Sequence, residues 1–251
     1  MRKLATHVLE RAGFSLSRTV DSYADAARVL ADYDVRAVVD GGAAKGTETA
    51  RLAELFPHAT VYAFEPHPTA FARLQSRFGH ASRVKLFPVA ISDAPGTADL
   101  HISAKPTQTS LLRASDPKMV TVASTRVEVT TVERLIAEGR MDPPQVVKLD
   151  LQGSELRALK GIGPAIRDVL AVLTEVSFRS RYAEGCLYHE VASELDKHDL
   201  RLFRLSDLHA HHSGAWTRAD ALFLRADILE ALFRRETDRK AGSKHGRRNP
   251  S

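Results

Sequence analysis

Short apolar runs alternate with amphipathic segments along most of this chain, and that alternation restricts its fold more than any other feature. Seven apolar runs are predicted as strands, over residues 36–40, 59–64, 84–91, 145–149, 170–176, 201–205 and 221–225. Segments with apolar residues at helical spacing separate most of them, over residues 47–56, 68–78, 131–138, 156–160 and 188–198. Strands joined through helices run in one direction, so we expect a mostly parallel seven-stranded sheet with helices on both faces.

Two regions depart from this simple alternation. The last two predicted strands are joined only by residues 207–218, which leave no room for a helix and predict an antiparallel hairpin at the C-terminal edge of the sheet. Residues 98–102 and 126–129 also alternate like strands. The polar stretch between them, Ser103–Ser124, is expected to be a loop or lid that selects the substrate.

The basic balance of the chain belongs to its C-terminal end. Lysine and arginine number 36 against 31 acidic residues, for a net charge of +5. Residues 234–251 hold seven of the basic residues and two of the acidic ones, so this tail carries the whole excess. We predict an N-terminal helical segment (1–34), one α/β domain (35–233) and a disordered basic tail (234–251). Nucleic-acid binding through the tail is an alternative function, although a nucleic acid is not the partner we expect.

Cysteine content and hydropathy indicate the compartment. The single cysteine, Cys186, excludes an internal disulfide framework and fits a reducing environment. No apolar run approaches the roughly 18 residues of a membrane-spanning helix. Glu10 and Arg11 interrupt the apolar start of the chain too early for a signal peptide. We therefore expect a cytoplasmic protein without a membrane span.

The glycine-rich segment Val38–Gly46, directly after the first predicted strand, is the most informative part of the sequence. It is not a phosphate-binding loop, because Lys45 precedes the last glycine instead of following it. It also lacks the middle glycine of a dinucleotide fingerprint, where Ala43 stands. Asp40 would repel a pyrophosphate at this strand end, whereas it suits a ligand with a cationic group. The ammonium-bearing end of S-adenosylmethionine is such a ligand.

Carboxylates recur at the ends of the next two predicted strands. Glu65 lies about 20 residues beyond the glycines, the distance at which a carboxylate reaches ribose hydroxyls in nucleotide-binding folds. Ala90 and Asp93 follow the third strand, where a backbone amide and a carboxylate can hold an adenine amino group. Helix capping by Asp40 and Glu65, and an Asx turn at Asp93, remain open as structural alternatives.

Taken in order, five segments resemble the FkbM-type methyltransferases, a branch of the S-adenosylmethionine-dependent class. They are VDGGAAKG (Val39–Gly46), YAFEP (Tyr62–Pro66), VAISD (Val89–Asp93), VKLDLQGSE (Val147–Glu155) and EVSF (Glu175–Phe178). The resemblance extends over residues 35–224, and the block Lys148–Glu155 is its most specific part. This family usually has asparagine where Ala44 stands, so one hydrogen-bonding side chain near the cofactor is missing here.

The resemblance implies a Rossmann-like class I methyltransferase domain over residues 35–233, with S-adenosylmethionine as its cofactor. It implies O-methylation of a sugar, glycan or secondary-metabolite hydroxyl, so the partner is a small-molecule or glycan acceptor. The implied cofactor-binding residues are Asp40, Gly41, Gly42, Ala43, Gly46, Glu65, Pro66, Ala90 and Asp93. A dinucleotide-dependent oxidoreductase is the remaining alternative.

The catalytic candidates lie at the ends of the fourth and fifth predicted strands. Lys148 and Asp150 have the same parity on a strand and so point to one side, where a lysine could lower the pKa of the aspartate. Asp150 could then accept a proton from the acceptor. Glu175 adds a second carboxylate on the same face, and Asp150 with Glu175 could instead hold a magnesium ion through oxygen ligands.

Overall fold

A computed structural model describes residues 21–245 of the protein. The helices are α1 (Ser22–Val29), α2 (Thr47–Leu55), α3 (Pro68–Phe78), α4 (Val132–Ala137), α5 (Glu155–Lys160), α6 (Tyr188–Asp196) and α7 (Ala226–His245). The strands are β1 (Ala37–Gly41), β2 (Thr60–Phe64), β3 (Val84–Phe87), β4 (Ala90–Ile91), β5 (Gly96–Ser103), β6 (Thr121–Thr130), β7 (Val146–Leu149), β8 (Ala171–Ser177), β9 (Leu200–Ala210) and β10 (Trp216–Arg225). Residues 1–20 of the predicted N-terminal helical segment lie outside the described residues.

Seven strands form one sheet in the order β3-β2-β1-β7-β8-β10-β9. The five strands from β3 to β8 in this order are parallel, and β10 is antiparallel to both β8 and β9. All five residues of β1 are buried, as expected for a central strand covered on both sides. The predicted mostly parallel sheet with an antiparallel edge hairpin is confirmed.

Neighbouring residues of the central strands bury their side chains in two separate cores, because alternate residues of a strand face opposite sides of the sheet. Val39 packs in the core that contains residues of α4, α5 and α6. Val38 packs in the other core, with residues of α1, α2 and α7. The prediction of helices on both faces is therefore confirmed.

A second sheet of three strands, in the order β4-β6-β5, was not predicted. The run 84–91, predicted as one strand, divides into β3 and β4 at Pro88, which has no N–H with which to continue the strand pairing. β5 and β6 pair antiparallel from Gly96↔Val129 to Ser103↔Thr121. The stretch predicted as a loop, Ser103–Ser124, thus contains a 3₁₀ turn at Pro106–Gln108 and ends inside a strand.

The C-terminal part of the chain is more regular than predicted. β9 and β10 extend into residues 207–218 and leave only residues 211–215 as the turn. Helix α7 continues to His245, so regular backbone extends into the segment 234–251 that we expected to be disordered. Residues 246–251 of that tail lie outside the described part, and the division of the chain into domains stays a prediction. Among the described helices, none is both long and apolar enough to cross a membrane.

Candidate active site

The glycine loop after β1 is held between the ends of two neighbouring strands. The amides of Gly42 and Ala43 both donate to the carbonyl of Phe64, at 3.1 and 3.0 Å. Gly42 has a φ of +76°, and a Cβ at this position would lie 2.1 Å from the carbonyl oxygen of Asp150. The left-handed backbone and the close approach both require glycine here.

A buried ion pair lies beneath this loop. The ammonium of Lys148 is 2.9 Å from Oδ1 of Asp40, and both side chains are almost entirely buried. Lys148 also donates to the carbonyls of Gly41 and Gly42, and Thr49 donates to Oδ2 of Asp40 at 2.6 Å. Burial alone would lower the pKa of Lys148, but the adjacent Asp40 carboxylate raises it. The pair fixes the underside of the glycine loop.

This arrangement differs from two predictions. Lys148 was expected to pair with Asp150, but it pairs with Asp40, its neighbour in the register of β1 and β7. Asp40 was expected to face the cationic end of a ligand, but its carboxylate is fully buried and directed toward Lys148 and Thr49. Both residues therefore hold the underside of the glycine loop, and the predicted roles of Asp40 in cofactor binding and of Lys148 in catalysis stay predictions.

Glu65 connects the end of β2 to the glycine loop. Its two carboxylate oxygens accept hydrogen bonds from the amides of Ala44, at 2.7 Å, and His67, at 2.8 Å. Burial raises the pKa of Glu65, and the two amides offset part of that increase. Each oxygen retains a lone pair after these bonds, so the carboxylate can still accept from a ligand hydroxyl.

A cavity of about 550 Å³, called the first cavity below, opens over the loop and Glu65. Its wall contains residues from the strand ends and from the segment after β5, among them Gly42, Ala44, Phe64, Glu65, Pro66, Val89, Ala90, Ile91, Leu100, Pro106, Thr107, Ser110, Leu111, Asp150 and Gln152. Four of the predicted cofactor-binding residues thus line it, namely Gly42, Glu65, Pro66 and Ala90.

The other predicted cofactor-binding residues lie behind the wall or beside it. Gly41 and Ala43 are packed against neighbouring side chains, and Gly46, at a φ of +79°, begins α2 against Phe78. Asp93 is exposed, accepts from the Ser92 hydroxyl at 3.0 Å and does not reach the cavity, so the local turn is the better description of it.

The segment Ser103–Ser124 was expected to choose the acceptor, and that role stays a prediction. Five of its residues line the first cavity, namely Pro106, Thr107, Thr109, Ser110 and Leu111. None of its residues lines the second cavity described next.

A second cavity, of about 360 Å³, adjoins the first at Asp150, which is exposed and lines both. Its wall combines residues of the β-strands with the start of the described chain and with helix α2: Asp21, Ser22, Tyr23, Glu48, Arg51, Lys148, Leu149, Asp150, Leu173, Thr174, Glu175, Ser206, Asp207, Asp220 and Ala221. Asp150 is thus the one residue of the predicted catalytic set that faces both spaces.

Gln152 organises the carboxylates around Asp150. The side-chain N–H of Gln152 donates to Oδ1 of Asp150 and lies 3.5 Å from Oε1 of Glu175. Its side-chain oxygen, Oε1, accepts from the Tyr182 hydroxyl at 2.9 Å. An N–H donor therefore stands between the two carboxylates that were considered for magnesium. The described residues contain no group of three or more His, Cys, Asp or Glu side chains that could hold a metal ion. The magnesium site stays an untested prediction.

Asp220 is a functional candidate that the sequence did not reveal. It lies on β10 directly opposite Glu175 of β8. Burial, and then the charges of Glu175 and Asp150, raise the pKa of Asp220 to about 7. Burial also raises the pKa of Glu175, although its ion pair with Arg218 opposes that change. Only the strand pairing brings Asp220 to the site.

Glu155 holds the turn between β7 and α5. Its buried carboxylate accepts from the amides of Leu151, at 2.8 Å, and Gly153, at 3.0 Å. The Cys186 thiol lies 3.4 Å from it. Burial raises the pKa of Glu155 to about 7 despite these amides. Glu155 therefore orients Gln152 and Asp150 through the backbone, and it lines neither cavity.

Ala44 is strained in this loop, with a φ of +48°. A left-handed conformation costs an alanine about 1–2 kcal/mol, whereas asparagine tolerates it better. We expect Ala44→Asn to stabilise the protein by about 0.5–1 kcal/mol, measured as the free energy of unfolding in urea. Ala43→Asn, at a buried neighbouring position, is the control and should destabilise it. A loss of stability in Ala44→Asn would contradict the assignment of strain.

Sequence comparison identifies the family. The family model described as the methyltransferase FkbM domain matches residues 40–202, which include the glycine loop, Glu65 and the turn at Gln152. The chain belongs to the methyltransferase FkbM domain family. The sequence resemblance and the predicted Rossmann-like class I methyltransferase fold are thereby confirmed, with the predicted antiparallel edge in place.

Two curated methyltransferases are similar to this FkbM-domain chain over part of their length. One is the hexuronic acid methyltransferase AglP of Haloferax volcanii, 29% identical over 118 residues that cover 47% of either chain. The other is the 2-O-methyltransferase NoeI of Sinorhizobium fredii, 29% identical over 162 residues that cover 60% of this chain and 66% of NoeI. The matched part therefore spans about half to two thirds of these relatives.

Solved structures with a similar arrangement are more distant from this FkbM-domain chain. An rRNA methylase from Streptococcus thermophilus is 14% identical and has a TM-score of 0.47, covering 83% of this chain and 99% of that one. The magnesium protoporphyrin IX methyltransferase ChlM from Synechocystis PCC 6803 is 9% identical, with a TM-score of 0.41, covering 81% and 80%.

Proposed function

We propose that this protein is an S-adenosylmethionine-dependent O-methyltransferase that acts on a hydroxyl of a sugar or glycan. The observation that carries the proposal is the position of Asp150, which lines both the first cavity and the second. A methyl donor in one cavity and an acceptor in the other would meet at this carboxylate. The names of the two relatives, a hexuronic acid methyltransferase and a 2-O-methyltransferase, support a sugar hydroxyl as the acceptor.

The residues of the first cavity fit S-adenosylmethionine. Glu65 offers carboxylate lone pairs for ribose hydroxyls, and Val89, Ala90 and Ile91 offer an apolar wall for the adenine ring. Gly42 brings backbone close to the ligand because no Cβ stands in the way. The volume lies within the usual range of small-molecule sites, about 300–1,000 Å³. When bound, this cofactor supplies an electrophilic methyl group on a sulfonium.

Asp150 would act as the general base. Its carboxylate accepts the proton of the acceptor hydroxyl as the oxygen attacks the methyl carbon, and the electron pair of the broken bond remains on sulfur. Gln152 orients this carboxylate by a hydrogen bond, and Tyr182 orients Gln152 in turn. The chain thus supplies a held base and a fixed approach, the two requirements of an in-line transfer.

Calorimetry tests the cofactor. We expect the full chain to bind S-adenosylhomocysteine and to bind NAD and NADP far more weakly, because Ala43 stands where a dinucleotide fingerprint has its middle glycine. Stronger binding of either dinucleotide, or no heat with S-adenosylhomocysteine, would refute the proposed function. Retention of the protein on single-stranded DNA that weakens with added salt would favour the nucleic-acid alternative instead.

Asp150→Asn is expected to lower the turnover number by about a hundredfold while S-adenosylhomocysteine affinity changes little. The loss is at the lower end of the range for a general base because this carboxylate is exposed and solvent can replace part of its role. Turnover is measured with radiolabelled S-adenosylmethionine and a monosaccharide glycoside. The control is Asp99→Asn, which makes the same change at an exposed residue of β5 outside both cavities. Unchanged turnover in Asp150→Asn would remove Asp150 from the mechanism.

A further inference from the structure

We propose that the second cavity binds the methyl acceptor as an uncharged sugar ring, and that its carboxylates reject acceptors that carry a carboxylate of their own. This inference rests on the proposed function, and it concerns a residue set that differs from the cofactor site. It also predicts that the acceptor differs in charge from the hexuronic acid named for the Haloferax volcanii relative.

The positive charges at the second cavity are already neutralised. Arg51 forms ion pairs with Asp21 and Glu48 in the wall. Lys148 pairs with Asp40 beneath the glycine loop. A guanidinium or ammonium engaged in this way offers little attraction to the carboxylate of a ligand, since its charge is balanced at close range.

Three carboxylates of the same wall lack such compensation. Among the described residues, no lysine or arginine lies within salt-bridge distance of Asp150, Asp207 or Asp220, whereas Glu175 pairs with Arg218. The wall is therefore net negative. Like charges that share a small cavity disfavour each other, so a bound carboxylate would lose free energy here.

Two buried hydroxyls offer a hydrogen bond to a polar ligand in this cavity. Ser22 and Ser206 line the cavity, are each 4% exposed, and their Oγ atoms lie 2.7 Å apart. Only one hydrogen can lie between two oxygens, and neither oxygen has another hydrogen-bond partner among the described residues. One O–H donor is left for a ligand oxygen. A sugar hydroxyl can accept from this donor and also donate to an adjacent carboxylate.

The backbone at Asp207 determines how this residue faces the second cavity. Asp207 has a φ of +46° and lies where the pairing of β9 with β10 shifts register, between Arg218↔His209 and Asp220↔Ser206. A β-bulge re-aims side chains, and such bulges are common beside functional sites. Asp207 lines the second cavity through this bulge, opposite the strand that carries Asp220.

The test uses two probes that differ only at C6, methyl glucoside and methyl glucuronoside. Binding to the full chain saturated with S-adenosylhomocysteine is measured by ligand-observed NMR at pH 8, where Asp220, with its pKa of about 7, is mostly ionised. We expect the glucoside to bind at least about tenfold more tightly than the glucuronoside. The double variant Asp207→Asn/Asp220→Asn should shrink that ratio toward one, while Asp99→Asn should leave it unchanged.

Equal or tighter binding of the glucuronoside, an unchanged ratio in the double variant, or binding of neither probe would overturn this inference while S-adenosylhomocysteine still binds. Failure of S-adenosylhomocysteine itself to bind would instead refute the proposed function. Asparagine keeps the shape of aspartate and tolerates the left-handed backbone at position 207, and each single variant provides the same comparison if the double variant does not fold.

Discussion

Replacing Lys148 with methionine should destabilise the protein by about 3–5 kcal/mol, measured as the free energy of unfolding in urea. Methionine fills a similar volume but leaves the fully buried carboxylate of Asp40 without its cation. The two loop carbonyls that Lys148 holds, at Gly41 and Gly42, lose their donor at the same time. An uncompensated buried charge is far more costly than a lost surface contact.

The double variant Asp40→Asn/Lys148→Met separates this charge effect from a simple loss of packing. Removing both charges leaves no isolated ion, so the double variant should be more stable than Lys148→Met alone. Lys197→Met is the matched surface control, because Lys197 forms an ion pair with Glu194 at 2.8 Å but is 64% exposed. It should cost less than about 1 kcal/mol. Similar losses for Lys148→Met and Lys197→Met would show that the buried pair is not structural.

The partner of Lys148 could not be predicted from the sequence. Parity along a strand predicted that Lys148 and Asp150 would share a face, but β7 ends at Leu149 and the alternation ends with it. The partner is set by the register of β1 and β7, in which Asp40 lies beside Lys148. A contact between residues so far apart in the chain leaves no local pattern. The sequence therefore predicted a different neighbour for Lys148, and the roles of the predicted site residues stay a prediction.

Burial explains why the main sheet could be predicted and the second sheet could not. Strand β1 is buried throughout and appears in the sequence as an uninterrupted apolar run. Of the ten residues of β6, only Val127 is buried, so its sequence has the polar character of a loop. Asp220 was missed for a related reason. It lies on a strand that reaches the site only by pairing antiparallel with β8.

Gly42→Ala should strongly lower both the free energy of unfolding and the affinity for the cofactor. The new Cβ would lie 2.1 Å from the Asp150 carbonyl oxygen, so the ends of β1 and β7 must separate by about 1 Å. We expect a loss of about 3–5 kcal/mol in the free energy of unfolding, which adds a main-chain collision to the cost of a left-handed alanine. A displacement of this size at the wall of the first cavity should also weaken S-adenosylhomocysteine binding by about a hundredfold.

Gly139→Ala isolates the two contributions to the effect at Gly42. Gly139 has a φ of +67°, close to the value at Gly42, but a Cβ there meets nothing within 4 Å. Its substitution should cost only the conformational penalty of about 1–2 kcal/mol and leave calorimetric binding unchanged. The difference between the two variants measures the contact between the glycine loop and Asp150. If both variants lost the same free energy, backbone conformation alone would explain Gly42, and the loop would not hold Asp150 against the first cavity.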